Sequence, residues 1–138
     1  MVTFPGGTDR ERGASAVEMA LLTPLLVLLI MLVVQFAMYY HAQHIAVAAA
    51  QAGARVARTE AADVPAVDWR AEATAKADRY IGDLGPRLLD EPQTAAIDDG
   101  DQVGVEVSAH AVQVVPFLRL PVRGRSVGPI ERFEPDVP

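Results

Sequence analysis

The stretch RERGASAVEMALLTPLLVLLIMLVVQFAMYY (residues 10–40) decides the architecture of this chain. Between positions 19 and 34 no residue is charged, and with the weakly polar Gln35 admitted the apolar run continues to Tyr40. That is about 20 residues, or about 30 Å as an α-helix, enough to cross a bilayer. Arg10 and Arg12 flank its N-terminal end, and the next basic residue is Arg55. This asymmetry predicts a cytoplasmic N-terminus with the rest of the chain outside. Phe36, Tyr39 and Tyr40 stand where such a helix leaves the hydrocarbon, as an aromatic belt does; aromatics packed in a core are the competing reading. Pro24 removes one intrahelical hydrogen bond early in the run and bends the helix without ending it.

Composition agrees with a membrane segment carrying a modest head. Of the 138 residues, 51% are hydrophobic but only 6% aromatic, so aliphatic residues carry the excess. The 12 Lys and Arg are scattered against 18 Asp and Glu, which gives a formal charge of −6 and argues against nucleic acid as a partner. Without cysteine, disulfides and thiolate metal sites are excluded.

Beyond Tyr40, HAQHIAVAAAQAGARVARTEAADV (residues 41–64) is rich in alanine and free of proline, so the helix is expected to continue to about Glu60. Ile45, Ala48, Ala49, Ala52, Val56 and Ala57 form a narrow small-residue face suited to packing on a partner surface, opposed by Gln43, Gln51, Arg55 and Arg58. A second amphipathic helix is expected in VDWRAEATAKADRYIGDL (residues 67–84). Asp68 would be its N-cap, Trp69, Ala73, Ala77, Tyr80, Ile81 and Leu84 its apolar face, and Gly85-Pro86 its end. The acidic run DEPQTAAIDDGD (residues 90–101) reads as a surface loop. QVGVEVSAHAVQVV (residues 102–115) alternates as a half-buried strand, and RGRSVGPIERF (residues 123–133) supplies a second strand that Pro129 confines to an edge. The tail 135–138 is expected to fray.

The expected fold is therefore α+β: a long N-terminal transmembrane helix extending into a small extracytoplasmic head with a second helix and an antiparallel strand pair. Its parts are a cytoplasmic leader (1–13), a transmembrane helix (14–40), a helix extension (41–62) and the head (63–138).

Glu18 is the unexpected residue. A carboxylate in hydrocarbon costs on the order of 2–3 kcal/mol unless paired, hydrated or neutralised. Were the chain cut after Gly13, the new ammonium on Ala14 would lie one helical turn, about 6 Å, from Glu18 of its own chain or a neighbour. A neighbour's ammonium would relieve that cost while fixing the stagger of two helices. The simpler alternative is a first-turn acid hydrated at the interface and favoured by the helix dipole.

At these residues, RGASAVEMALLTPLLVLLIMLVVQF (residues 12–36) resembles the N-terminus of the TadE-like pseudopilins, or minor pilins, of the tight-adherence (Flp) pilus systems, a branch of the type IV pilin-like proteins. The matching positions are Arg12, Gly13, Ala14, Val17, Glu18 and Pro24. Met19 departs from the pattern, which more often has an aromatic residue after the glutamate. AVAAAQAGARVART (residues 46–59) is similar to the family's alanine-rich segment, and residues 103–135 are more loosely similar to its C-terminal strand pair. The resemblance implies cleavage between Gly13 and Ala14 by a prepilin peptidase that reads Arg12, Gly13 and Ala14. It further implies an assembly role for Glu18 and Pro24, and a place in the cytoplasmic membrane, single-pass, until extraction into a pilus. The implied partners are the peptidase, other Flp pilins or pseudopilins, the pilus assembly machinery and the lipid bilayer. No cofactor and no small-molecule substrate are expected.

Two other classes compete. One is an unprocessed single-pass anchor carrying an extracytoplasmic binding module. The other is a secreted protein cut at AVAAA (residues 46–50), although its apolar core of about 20 residues exceeds the roughly 7–15 of a signal peptide. An enzyme is not expected. His41 and His44 lack a nearby acid to complete a metal site, His110 reads as a surface residue, and Asp98, Asp99 and Asp101 read as a solvated turn. Trp69 reads as packing between the second helix and the strands.

Overall fold

The structure, a computed structural model, describes residues 9–62 and 68–130. Most of the leader, the side chains of Arg10 and Arg12, the end of the second expected strand and the tail 135–138 lie outside the described residues. Helix α1 (Asp9–Glu60) runs unbroken through Pro24 for 52 residues, about 78 Å at 1.5 Å per residue. Helix α2 (Trp69–Leu84) follows Asp68, which occupies the N-cap position but makes no side-chain cap bond; its carbonyl accepts from the Glu72 amide at 3.2 Å. The Gly85 amide donates to the Ile81 carbonyl at 2.8 Å and closes α2 ahead of Pro86.

The sheet has three antiparallel strands rather than two: β1 (Leu89–Asp98), β2 (Gln102–Ala111) and β3 (Pro121–Pro129), in the order β1-β2-β3. The run expected as an acidic loop is therefore mostly strand, and only residues 99–101 make the turn. Its acidity and proline hide the strand because β1 is an edge. Most of its side chains stay in water, and Pro92 sits where the register slips between Asp90 and Gln93. There its missing amide leaves no ladder bond unmade. β3 begins two residues earlier than expected, and its two prolines occupy its ends.

Val103, Val105, Val107, Ala109 and Ala111 of β2 turn one face of the sheet toward both helices. α1 answers with Ala42, Ile45, Ala46, Ala49, Ala50, Ala54 and Ala57, and α2 with Ala73, Ala77 and Ile81. The small-residue face of α1 is thus covered by the chain's own head and not left for a partner. Of the expected face, Ile45, Ala49 and Ala57 are buried, while Ala48, Ala52 and Val56 fall half-buried at its margin. The arc is wider and rotated because α1 is covered on two sides, by α2 and by the sheet.

A core of alanine and valine permits near-backbone approach. A Cβ on Gly53 would lie 2.7 Å from the Ala73 carbonyl oxygen and 2.9 Å from Val105 Cγ2. A Cβ on Gly124 would collide with the backbone of Ala46 and Val47, so β3 crosses α1 where only glycine fits. At the far corner, Glu60 ends α1 and Glu72 opens α2. The carboxyl of Glu60 is held above the usual carboxylate range, first by burial and then by the negative charge of Glu72.

Gly124→Ala is expected to destabilise the protein by about 3 kcal/mol, because the clash is with backbone that cannot rotate away. Gly82→Ala, on an α2 position where a Cβ meets nothing within 4 Å, is expected to stabilise it by about 0.5–1 kcal/mol. Denaturant titration of both variants in detergent checks the pair. Because the folded state holds the Glu60 proton more tightly than the unfolded chain, stability falls as pH rises from the ordinary carboxylate pKa through the raised one. Glu60→Gln should therefore be the more stable form at neutral pH and lose that advantage in acid, which thermal melts across the range will read.

Candidate functional site

The functional half of α1 is the part that no other element covers. From Val17 to Val34 its large apolar side chains are exposed, including Met19, Leu21, Leu25, Leu26, Leu29, Ile30 and Val33, except Met31 and Leu32, which are half-buried. The most apolar window has a mean hydropathy of 2.7, with none of it buried. A helix of this length and composition is able to cross a membrane. Leucine, methionine and alanine favour the helix, and each backbone amide except that of Pro24 is free to pair within it. Next to that gap, the Thr23 hydroxyl donates to the Met19 carbonyl at 2.7 Å.

Gly13, Ala14 and Glu18 all lie exposed on this helix, and Pro24 lies inside it. A Cβ on Gly13 would meet nothing within 4 Å. The structure brings Ala14 and Glu18 onto one helix face by their four-residue spacing, and no described residue forms an ion pair with Glu18. The Arg12 side chain is outside the described residues. The carboxylate is thus presented outward at the start of the apolar surface, available to a cation that this chain does not supply from its described residues.

The environment of α1 changes at Gln35. Its side chain is fully buried, and its amide nitrogen donates to the Val112 carbonyl at 3.1 Å. Its amide oxygen accepts from the Val114 and Val115 amides at 2.6 and 3.0 Å. One carboxamide thereby fastens the β2–β3 connection to the apolar helix. Two helical turns further on, Gln43 accepts from the Arg123 amide at 3.2 Å and donates to its carbonyl at 2.7 Å. Sequence reasoning admitted Gln35 to the apolar run and placed Gln43 on the outward polar face, and so missed both. The available signal was a lone amide inside an otherwise unbroken hydrocarbon segment, where an unpaired polar group is expensive.

Of the aromatic belt, Phe36 and Tyr40 are exposed, whereas Tyr39 packs partly against the head and meets Tyr40 edge-on at 5.9 Å. Trp69 packs against the core with the Arg70 guanidinium 4.6 Å from its ring centre. His41 and His44 are exposed, and no group of three His, Cys, Asp or Glu able to hold a metal occurs among the described residues. His110 is half-buried. Asp98 pairs with Arg70 and accepts from the Gly100 amide at 3.1 Å, and the Asp99 amide donates to the Gln102 carbonyl at 2.9 Å. These bonds make a hairpin turn whose Gly100 has φ 85°.

The fold and this site define a small α+β head carried on one exposed helix that is long and apolar enough to cross a membrane. The family model for TadE-like proteins matches residues 13–55, a similarity that lies wholly on α1 and takes in Glu18, Pro24 and Gln35. No curated protein and no solved structure matches the chain significantly.

Gln35→Leu is expected to leave the Val112 carbonyl and the Val114 and Val115 amides without their partner. At about 2 kcal/mol for the unmade bonds, exchange of those two amides should accelerate roughly 30-fold. Hydrogen exchange resolved at Val114 and Val115 tests this, and unchanged protection would remove Gln35 as the fastening.

Proposed function

We infer that this protein is a minor pilin or pseudopilin of a tight-adherence (Flp-type) pilus, with no catalytic activity of its own. The observation that carries the reading is a TadE-like match that begins at Gly13 and coincides with an uncovered apolar helix. In this reading a prepilin peptidase cuts between Gly13 and Ala14 on the cytoplasmic face of the inner membrane. Glycine is a weak point in a helix, by about 1 kcal/mol relative to alanine, which eases local unwinding of the bond to be cut. The ammonium freed on Ala14, or that of a neighbouring subunit, then pairs with Glu18 and sets the axial stagger between helices. Helix α1 holds the subunit in the bilayer until the assembly machinery extracts it, and other Flp pilins or pseudopilins pack against its exposed surface. The head stays outside the cell membrane throughout.

N-terminal sequencing and intact mass of the protein from its own membranes, with and without the peptidase, test processing. The expected result is a terminus at Ala14 that disappears with the peptidase; an uncut terminus in both strains would instead favour an unprocessed single-pass anchor. Glu18→Ala is expected to be cleaved normally yet to fail in piliation. Normal piliation in that variant would end the register role.

A further inference from the structure

We propose that the β2–β3 connection, VQVVPFLRL (residues 112–120), is a second membrane contact whose tip, Phe117, sits in the outer leaflet beside α1. The inference rests on the membrane reading of α1 given above and adds to it a lipid-seated loop in the head. Three observations converge on it.

The level of the loop is fixed. Gln35 binds residues 112, 114 and 115 directly, and every large apolar residue of α1 before it, from Val17 to Val34, is uncovered or only half-covered. From Gly13 to Gln35 the helix rises about 33 Å, close to the roughly 30 Å of a hydrocarbon core. With Gly13 at the cytoplasmic boundary, the outer boundary falls at Gln35, and the loop hangs at that boundary. Phe36 and Tyr40, exposed just above it, then occupy the headgroup layer.

The tip is built against the preference of a turn in water. The Leu118 amide donates to the Val115 carbonyl at 3.2 Å, enclosing Pro116 and Phe117. Phe117 has φ 69°, in the left-handed region where a turn with proline at its second position normally carries glycine. Instead the position holds a phenylalanine that is 99% exposed, flanked by Val115, Pro116 and Leu118. A strained, bare aromatic tip is a poor arrangement in water and a good one in lipid.

Charge marks how deep the loop goes. Arg119, two residues past the tip, pairs with Glu91 at 3.0 Å and with Asp90 at 3.6 Å. An apolar tip backed by a guanidinium at headgroup depth is the pattern of an interfacial anchor. The occupant is lipid rather than a second copy of the chain because the patch continues, at one level, the helix surface that lipid already covers.

The chain has no cysteine, so single-cysteine variants carry a nitroxide at one chosen place. Full-length protein in vesicles of phosphatidylethanolamine and phosphatidylglycerol is labelled at Leu26→Cys, Leu118→Cys and Asp99→Cys. Collision with oxygen, which prefers lipid, is then compared with collision with a water-soluble nickel complex. The expected result is an oxygen preference at positions 26 and 118, a nickel preference at 99, and a several-fold drop in the oxygen preference of 118 when Phe117→Ser is added. A water-like signal at 118 beside a lipid-like signal at 26 overturns the loop contact while leaving the anchor standing. A water-like signal at 26 overturns the anchor and the loop together. Shielding of 118 from both reagents also overturns the proposal, since protein and not lipid then covers the loop.

Discussion

The carboxamide of Gln35 is the constraint on which the rest of the molecule depends. It is the only polar side chain among the buried described residues, and it stands at the point where α1 passes from an uncovered apolar surface to one covered by the head. A polar group in that position must find partners, and a single amide has both a donor and an acceptor to offer. By taking one carbonyl and two amides from residues 112–115, it fixes the rotation of α1 and the height of the sheet along it in one step. The buried arc of alanines from Ala42 to Ala57 follows from that rotation.

Small side chains set the rest of the geometry. Because Gly53 of α1 lies against Ala73 of α2, and Gly124 of β3 against Ala46 of α1, α1 meets both the second helix and the sheet nearly backbone to backbone. A core made mostly of alanine and valine depends on such close contact, since each dispersion contact is small and only dense packing accumulates them. The same 52-residue helix presents two surfaces. Its uncovered part, residues 17–34, is mostly large aliphatics, its covered part is rich in alanine against α2 and the sheet, and the two compositions meet at Gln35.

How much of this was legible in the sequence varied with burial. The C-terminal reach of α1 to Glu60, the helix in residues 69–84 and the alternation of β2 were readable, the first from an unbroken apolar and alanine-rich run and the others from a regular apolar period; the start of α1 at Asp9, inside the expected leader, was not. β1 was not readable. As an edge strand it keeps Asp90, Glu91 and Gln93 in water, and Pro92 interrupts its period at a bulge. Edge strands tolerate the residues that otherwise signal a loop. The alanine face of α1 was visible, but a face of small residues says only that something comes close. That the neighbour is the chain's own sheet depends on long-range pairing, such as Gly124 with Ala46, which no local pattern encodes. Glu18 stood out as a charge at the mouth of an apolar run, and Gly13 as the end of the basic leader before it. Gln35 did not, since a single amide barely changes the hydropathy of a long run.

The bonds from Gln43 to Arg123 bear on how copies of this molecule are able to meet. A three-stranded sheet normally has two open rims, each a template for another strand. Here the side chain of Gln43 takes both the amide and the carbonyl of Arg123, occupying one rim as a stand-in for a neighbouring backbone. The opposite rim carries Pro92, the irregular Glu91 with φ 50° and a row of acidic side chains. Neither rim invites β-augmentation. A strand from another copy of the chain therefore finds neither the amide nor the carbonyl of Arg123 free to pair with, and the ladder cannot be extended through that position.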